Sequence, residues 1–417
     1  MIFMTIYPGQ VAMNKATTFN IPVSAGDEDH YRIRMGPQHP ATHGVLRVDL
    51  DLDGETILEC DPRVGYLHRG FEKLAEHRTY AQNLVLTDRL DYMSAMANNV
   101  GYCEAVEKLL AIGVPLRAKY LRTMVCEMAR LASHLLWLAT HALDIGAMTV
   151  FLYCFREREE LLEMFAELCG ARLTTTYTRL GGVRQDVTHS FMMKLERFVN
   201  EFPACIEEYE TLIDTNRIWL KRTVNVGTVS AEDAVSLCLT GGSLRGSGVD
   251  YDVRKHFPYA AYDRLDFKIP LGETGDTYAR YRCRMEEMRQ SNYILRQCIE
   301  QMPPGPIAGD DAPDLVMPNK PGRKVEVDTP ARQALIKLVE DRDTFMEGDV
   351  YVPTEVPKGE LGFYFISDGN GHPYRMHIRS PSFIHIGALK TMAKGAMVAD
   401  LIAIIGTLDV VLGECDR

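Results

Sequence analysis

Alternating apolar and polar residues mark the first regular elements of this chain. Tyr31 to Met35 and Val45 to Leu52 carry period-two patterns that predict strands, and Thr56 to Glu59 continues a small sheet. Between the first two lies Gly36-Pro37-Gln38-His39-Pro40-Ala41-Thr42-His43-Gly44. Its prolines and glycines argue against a helix and predict a hairpin-like turn, so His39 and His43 do not share a helix face. From Gly70 the pattern becomes helical. Arg117 to Leu143, Thr149 to Cys169, Met192 to Val224 and Thr277 to Gln301 show apolar residues at helical spacing. Pro203 is expected to break or kink the third of these, and Pro303-Pro304-Gly305 ends the fourth. Residues 305–330 read as a surface loop. Leu361 to Ile366 and Tyr374 to Arg379 predict a hairpin around Asp368-Gly369-Asn370-Gly371, and a helix is expected from about Leu389 to Ile405. The fold class is therefore α+β and predominantly helical. Residues 1–30 form a surface arm, and 31–417 form one domain: β-rich over 31–65, a helical core over about 70–345, and a mixed part over 346–417.

Charge and composition exclude several classes. A net charge of -11 over 417 residues argues against general nucleic-acid binding. Met1-Ile2-Phe3-Met4 lacks a basic region followed by an apolar run, so no signal peptide is expected. The most apolar long stretch, Ala132 to Phe155, carries His134, His141 and Asp144. An ionisable group costs about 2.5 kcal/mol or more at a bilayer centre, so burial in a protein core is the better reading. Met397 to Leu412 is too short to span and is interrupted by Asp400 and Asp409. The ten cysteines form no CxxC pair. They read as buried, reduced thiols rather than a zinc or cluster site.

Candidate chemistry is concentrated in a few places. A rigid loop presenting His39 and His43 without a metal-ligand set suits proton transfer or hydrogen bonding to a ligand. Asp88-Arg89-Leu90-Asp91-Tyr92 could be an ordinary salt-bridged helix start. Asp144 is a lone carboxylate in an apolar stretch, equally a satisfied core residue or a functional acid with a perturbed pKa. Gly241-Gly242-Ser243-Leu244-Arg245-Gly246-Ser247-Gly248 lacks the ending of a phosphate loop and fits no dinucleotide fingerprint. It is expected to be a tight loop with a projecting Arg245. No HExxH or GxSxG occurs.

Eight segments occur in one order: GPQHPATHGVLR (36–47), VGYLHRGFEKL (64–74), DRLDY (88–92), LASHLLWL (131–138), HALDIGAMT (141–149), RLGGVRQD (179–186), LRGSGVDYDVRK (244–255) and AIIGTLDVVLGECDR (403–417). Together they closely resemble the D-subunit family of NADH:quinone oxidoreductase, respiratory complex I, whose mitochondrial counterpart is the forty-nine-kilodalton subunit. The resemblance runs from about residue 31 to the last residue. It implies a fold related to the large subunit of nickel-iron hydrogenases. It implies a peripheral place on the cytoplasmic side of a bacterial inner membrane, with the cluster-bearing B subunit, subunits C and I, and the membrane subunits H and A as partners. A quinone would bind beside the terminal 4Fe–4S cluster of the partner, with no cofactor or metal held by this chain alone. By position, His43 and Tyr92 match headgroup ligands and Asp144 matches the carboxylate that pairs with that histidine. Arg69 and Arg89 match arginines near the cluster, and His39 joins them as a candidate binding residue.

The resemblance also frames the alternative, the large subunit of a membrane-bound hydrogenase-like complex. A nickel-iron site needs four thiolates from two CxxC motifs. Aligned on the hydrogenase pattern, those positions become Asp91, Ser94, Val411 and Glu414, and Cys415 is one residue out of register. The space a metal would fill is then expected to be open to the quinone headgroup. Many family members carry histidine after the Gly-Ala-Arg-hydrophobic stretch. This chain has Thr174 there.

Overall fold

The computed structural model describes residues 30–309 and 347–417. The arm over 1–29 and most of the loop expected over 305–330 lie outside the described residues. An antiparallel sheet of His30–Met35, Arg47–Asp53 and Thr56–Arg63 opens the fold. Its alternation sorts Ile33, Met35, Val48, Leu50 and Leu52 to a buried face. Charged pairs such as Arg32–Asp51, 2.8 Å apart, cover the other. The buried face packs into a cluster with Ile386, Leu389, Met392 and Ile404 from the C-terminal helices.

The helical core is built round Leu116–Ile145. This helix is buried on nearly every side because three others pack on it: Ala95–Leu110, Met148–Cys169 and Thr277–Gln301. No described helix is long and apolar enough to cross a membrane. The predominantly helical α+β class expected from the sequence is what the fold shows.

Several local expectations are corrected. The helix runs through Pro203, from His189 to Ile213. The carbonyl of Val199, which Pro203 cannot reach, accepts Nδ2 of Asn292 at 3.0 Å instead. The break comes at Asn216, whose Oδ1 caps the amides of Ile218 and Trp219 and starts Arg217–Thr223. The single helix expected from about Leu389 to Ile405 is two, Pro381–Ala393 and Val398–Leu408. Between them the chain pairs with the first sheet: Gly395 N–H donates to Ile57 O, and Ile57 N–H to Ala396 O, both at 2.8 Å. The expected C-terminal hairpin gains a third strand. Glu347–Val356, Gly359–Asp368 and Arg375–Arg379 form an antiparallel sheet over Ala95–Leu110. The glycine-rich segment is a short helix, Gly241–Arg245, and Arg245 is buried rather than projecting. Of the cysteines, Cys238 is exposed and Cys169 and Cys205 are half-buried, whereas the remaining seven are buried.

Candidate functional site

The histidine loop is fixed by its own side chains. Nδ1 of His39 accepts the amide of Ala41 at 3.2 Å, capping a short 3-10 turn over Pro40–Thr42. The Thr42 hydroxyl, 2.9 Å from His39 O and 3.2 Å from Pro37 O, ties the loop across. His39 therefore spends one ring nitrogen on the turn. His43 closes the turn in the left-handed region at φ 55, which sends its ring away from the strand pair. The turn packs on the helix Val398–Leu408 and so lies near Asp409, the residue that ends it.

Tyr92 arrives from the core side, on the bend between Tyr80–Thr87 and Ala95–Leu110. The acids around it are not a surface salt-bridge pattern. Asp88 is buried and accepts Nδ2 of Asn99 at 2.6 Å and the Thr176 hydroxyl. Arg89 turns outward, with Nη1 donating to Val85 O at 2.7 Å and lying only 3.4 Å from the Asp88 carboxylate. Asp91 is buried, accepting Met93 N–H at 3.1 Å and the Ser94 hydroxyl.

Behind His43 and Tyr92 lies a residue the sequence did not single out. Lys358 occupies the two-residue turn between the strands that end at Val356 and begin at Gly359. Gly359 has φ 137, and a Cβ there would fall 2.5 Å from the Thr240 hydroxyl, so the turn needs glycine. Arg130 holds the incoming strand, donating to Glu355 O at 2.7 Å and Val356 O at 3.2 Å. The turn thereby drives Lys358 inward. Its Nζ donates to Ser133 Oγ at 2.7 Å and pairs with Asp409 at 2.8 Å.

This ammonium sits among three buried carboxyls, Asp91, Asp409 and Glu414. Burial alone would lower its pKa, but Asp409 and Asp91 outweigh that and raise it. Burial raises Asp91. Burial and then Asp91 push Glu414 to about 8, against hydrogen bonds from Ser382. One cation thus serves three acids, and burial favours the protonated forms of Asp91 and Glu414. The positions aligned to hydrogenase ligands do come together here. The space is not open, however: Asp91, Ser94, Val411 and Glu414 are all buried, and Lys358 lies among the charged ones. Among the described residues no group of three or more His, Cys, Asp or Glu could hold a metal ion.

His43 and Tyr92 are coupled to the same lysine. His43 is exposed at the surface, with protein packed around much of its ring. Burial lowers its pKa, with Asp409 acting upward and Lys358 downward. Tyr92 is half-buried. Burial and Asp91 raise its phenol, and Lys358 and Arg69 act the other way. Asp144 does not join this group. It lies at the exposed end of Leu116–Ile145, and no ion pair or hydrogen bond reaches its carboxylate among the described residues. Burial by its neighbours alone raises it to about 6. Asp409 and Lys358 are the charges that act on His43, and among the described residues no hydrogen bond or ion pair joins it to Asp144.

Arg69 spans the edge of the site. Its Nη2 donates to Arg89 O and Gly413 O, both at 2.8 Å, and its guanidinium stacks on Phe71 at 4.3 Å. Next to it Gly70, Phe383, Asp416 and Arg417 line a surface groove of about 370 Å³. On the other side Tyr92, Arg158, Arg172 and Thr174 share a recess of about 10 Å³, room for one water. Tyr92 thus has Arg158 and Arg172 in its recess and Asp91 beside it, with Arg172 paired to Glu159 at 2.5 Å. Thr174 stands at φ 49, an unusual conformation for a β-branched residue.

The Glu414 environment gives a stability prediction. Its folded pKa lies above the unfolded value, so its contribution is present below the unfolded pKa and is lost as pH rises towards about 8. Glu414→Gln keeps an acceptor for Ser382 and removes the titration. Thermal unfolding of the assembled complex should then fall less between pH 6 and pH 9, two values chosen to bracket that pKa, than in the unmodified complex. An unchanged fall would show that Glu414 does not titrate there.

Comparison with known proteins assigns the chain to a family. The model of the respiratory-chain NADH dehydrogenase 49 Kd subunit matches residues 144–417. An NADH-quinone oxidoreductase D subunit of Thermodesulfovibrio yellowstonii, the one numbered 2, is 56% identical, over 92% of this chain and 96% of the relative. The D subunit of Trichlorobacter lovleyi is 54% identical, over 92% and 98%. The D subunit numbered 1 of Solibacter usitatus is 46% identical, over 98% of each. The chain belongs to the 49 Kd subunit family of respiratory-chain NADH dehydrogenase, and it is a component of complex I that works with the other subunits of that enzyme.

Proposed function

We propose that this chain provides the headgroup half of the quinone-reducing site, with His43 and Tyr92 donating to the two carbonyl oxygens of the quinone. The observation that carries the reading is the shared coupling of His43 and Tyr92 to Lys358 and its acids. Reducing a quinone to a quinol takes two electrons and two protons, and negative charge builds on the carbonyl oxygens. Hydrogen bonds from an imidazole and a phenol strengthen as that charge develops. The Lys358 ammonium lowers the cost of the charge from within the protein. His43 and Tyr92 each pass a proton to a quinone oxygen and take one back from water, which reaches both side chains, while the Lys358 cluster acts on them through its charge. Asp144, the carboxylate that the resemblance pairs with His43, would orient the ring and stabilise its protonated form.

The partners follow from the same reading. Arg69 and Arg158, neither in an ion pair among the described residues, lie near Tyr92 and suit a contact with the cluster-bearing B subunit, whose 4Fe–4S cluster would supply the electrons. Subunits C and I, and the membrane subunits H and A, complete the surroundings at the cytoplasmic side of the inner membrane. In the assembled complex, Tyr92→Phe should lower quinone reductase activity most with short-chain quinones, and His43→Ala should lower it with all of them. Unchanged rates in both variants at normal assembly would defeat the assignment.

Thr174 bears on the partner cluster. A threonine so placed gains no proton when the cluster is reduced, so its midpoint potential should be low and insensitive to pH. An EPR redox titration at several pH values checks this. A midpoint that moves strongly with pH, with no other titrating group identified, would contradict it.

A further inference from the structure

We propose that Arg280 and Arg284 hold a small inorganic anion of halide size inside the protein, against the Gly241–Arg245 helix. Among the described residues six arginines are fully buried: Arg122, Arg130, Arg245, Arg254, Arg280 and Arg284. Four have carboxylates in contact. Arg122 pairs with Glu107, Arg130 with Glu127, Arg245 with Glu287 and Arg254 with Asp252. Among the described residues Arg280 and Arg284 have none. A buried guanidinium without a counter-charge carries a heavy desolvation cost, so an otherwise well-paired interior is expected to supply one.

The two lie four residues apart on one face of Thr277–Gln301. Nη2 of Arg280 donates to Gly227 O and Gly275 O at 2.8 Å, while its Nε and Nη1 are buried without a partner. Nε and Nη1 of Arg284 are likewise buried and unpartnered, and one face of its guanidinium lies over the Trp137 ring at 4.5 Å. The facing helix leaves room for both stems. A Cβ on Gly242 would come within 3.3 Å of Arg284 Cγ, and one on Gly246 within 2.6 Å of Arg280 Cγ. Ser243, between them, has a buried hydroxyl with no partner. Four guanidinium nitrogens, with six N–H bonds between them, and a hydroxyl are therefore left without a partner among the described residues.

Among the described residues no neighbouring carboxylate forms an ion pair with either arginine. Asp276, the acid that acts on Arg280, is spent on the amides of Ala279 and Asn225 and the hydroxyl of Thr274. Glu287 is held by Arg245 and His134. Asp409 gives one oxygen to Lys358, and its other, unpartnered oxygen lies beyond ion-pair distance of Arg284. Burial and then the Arg284 charge keep His141 and His385 at about 3, so both imidazoles are neutral. Burial followed by repulsion from Arg284 holds Arg280 down to about 9. An anion would ease that repulsion and satisfy the open donors at once. Burial of both arginines limits it to a monatomic size and makes it a structural ligand captured during folding.

The test uses the intact complex purified from cells grown, and crystallised, with bromide in place of chloride. Anomalous diffraction at the bromine edge should give one interior peak between the Arg280 and Arg284 guanidinium groups. Arg284→Met should abolish it. Should that variant not accumulate, Arg280→Lys, which keeps the charge and loses the fork, should reduce the peak. A wild-type complex with no bromide peak, whether or not ordered waters bridge the two arginines, would overturn the proposal.

Discussion

Lys358→Met should depress quinone reductase activity on the order of 10²-fold, the loss that follows removal of a charge-stabilising donor from a preorganised site. The ammonium is enclosed, bonded to Asp409 and Ser133, and acts on both Asp91 and Glu414. Without it the acids would hold a further proton or repel the negative charge that builds on the quinone. Either outcome removes the electrostatic support shared by His43 and Tyr92. Electron transfer from NADH to an artificial acceptor upstream of the quinone should be unaffected, which separates this loss from a failure of assembly. A Lys358→Met complex that reduces quinone at the normal rate would show that the lysine is only a structural counter-ion.

Arg245→Met should act on folding. Arg245 lies 2.6 Å from Glu287, 2.8 Å from Glu355 and 3.4 Å from Asp252, all buried. Removing the cation leaves three carboxyls facing one another, and breaking a buried pair typically costs about 3–5 kcal/mol. That is a large part of the roughly 5–15 kcal/mol of a folded domain. The chain should be depleted from membranes and the complex assembled poorly. Normal abundance, with unaltered thermal unfolding of the complex, would contradict this account of the core. Arg245→Lys keeps one charge but not the fork, and should fall between the two.

The long helices were legible because their apolar spacing and buried faces coincide. Thr277–Gln301 has the bounds that its pattern and Pro303-Pro304-Gly305 predict. Leu116–Ile145 and Met148–Cys169 are within two residues of their expected ends. Errors arose where a distant residue decided the local outcome. Asn292 rescues the helix at Pro203, and Ile57 breaks the C-terminal helix by pairing across Gly395. At the site, the histidine loop, Arg69 and Tyr92 stand out in the sequence as motifs. Lys358 does not, because Pro357-Lys358-Gly359 reads as an ordinary exposed turn. Only the packing of Arg130 against the preceding strand turns it inward. Arg245 misled for the same reason: its glycine neighbours suggest a loop, whereas its three acid partners lie 7, 42 and 110 residues further along the chain. Asp144 shows the converse. Its place in a motif is clear, yet no contact in this chain gives it the partner that the motif implies.

The central claim is that His43 and Tyr92 hold the quinone headgroup in front of the Lys358 cluster. Cryo-electron microscopy of the complex with a short-chain quinone tests it directly. The account predicts headgroup density with one carbonyl oxygen within hydrogen-bond reach of the His43 ring and the other of the Tyr92 hydroxyl. Saturating headgroup density elsewhere, with neither residue in contact, would contradict it.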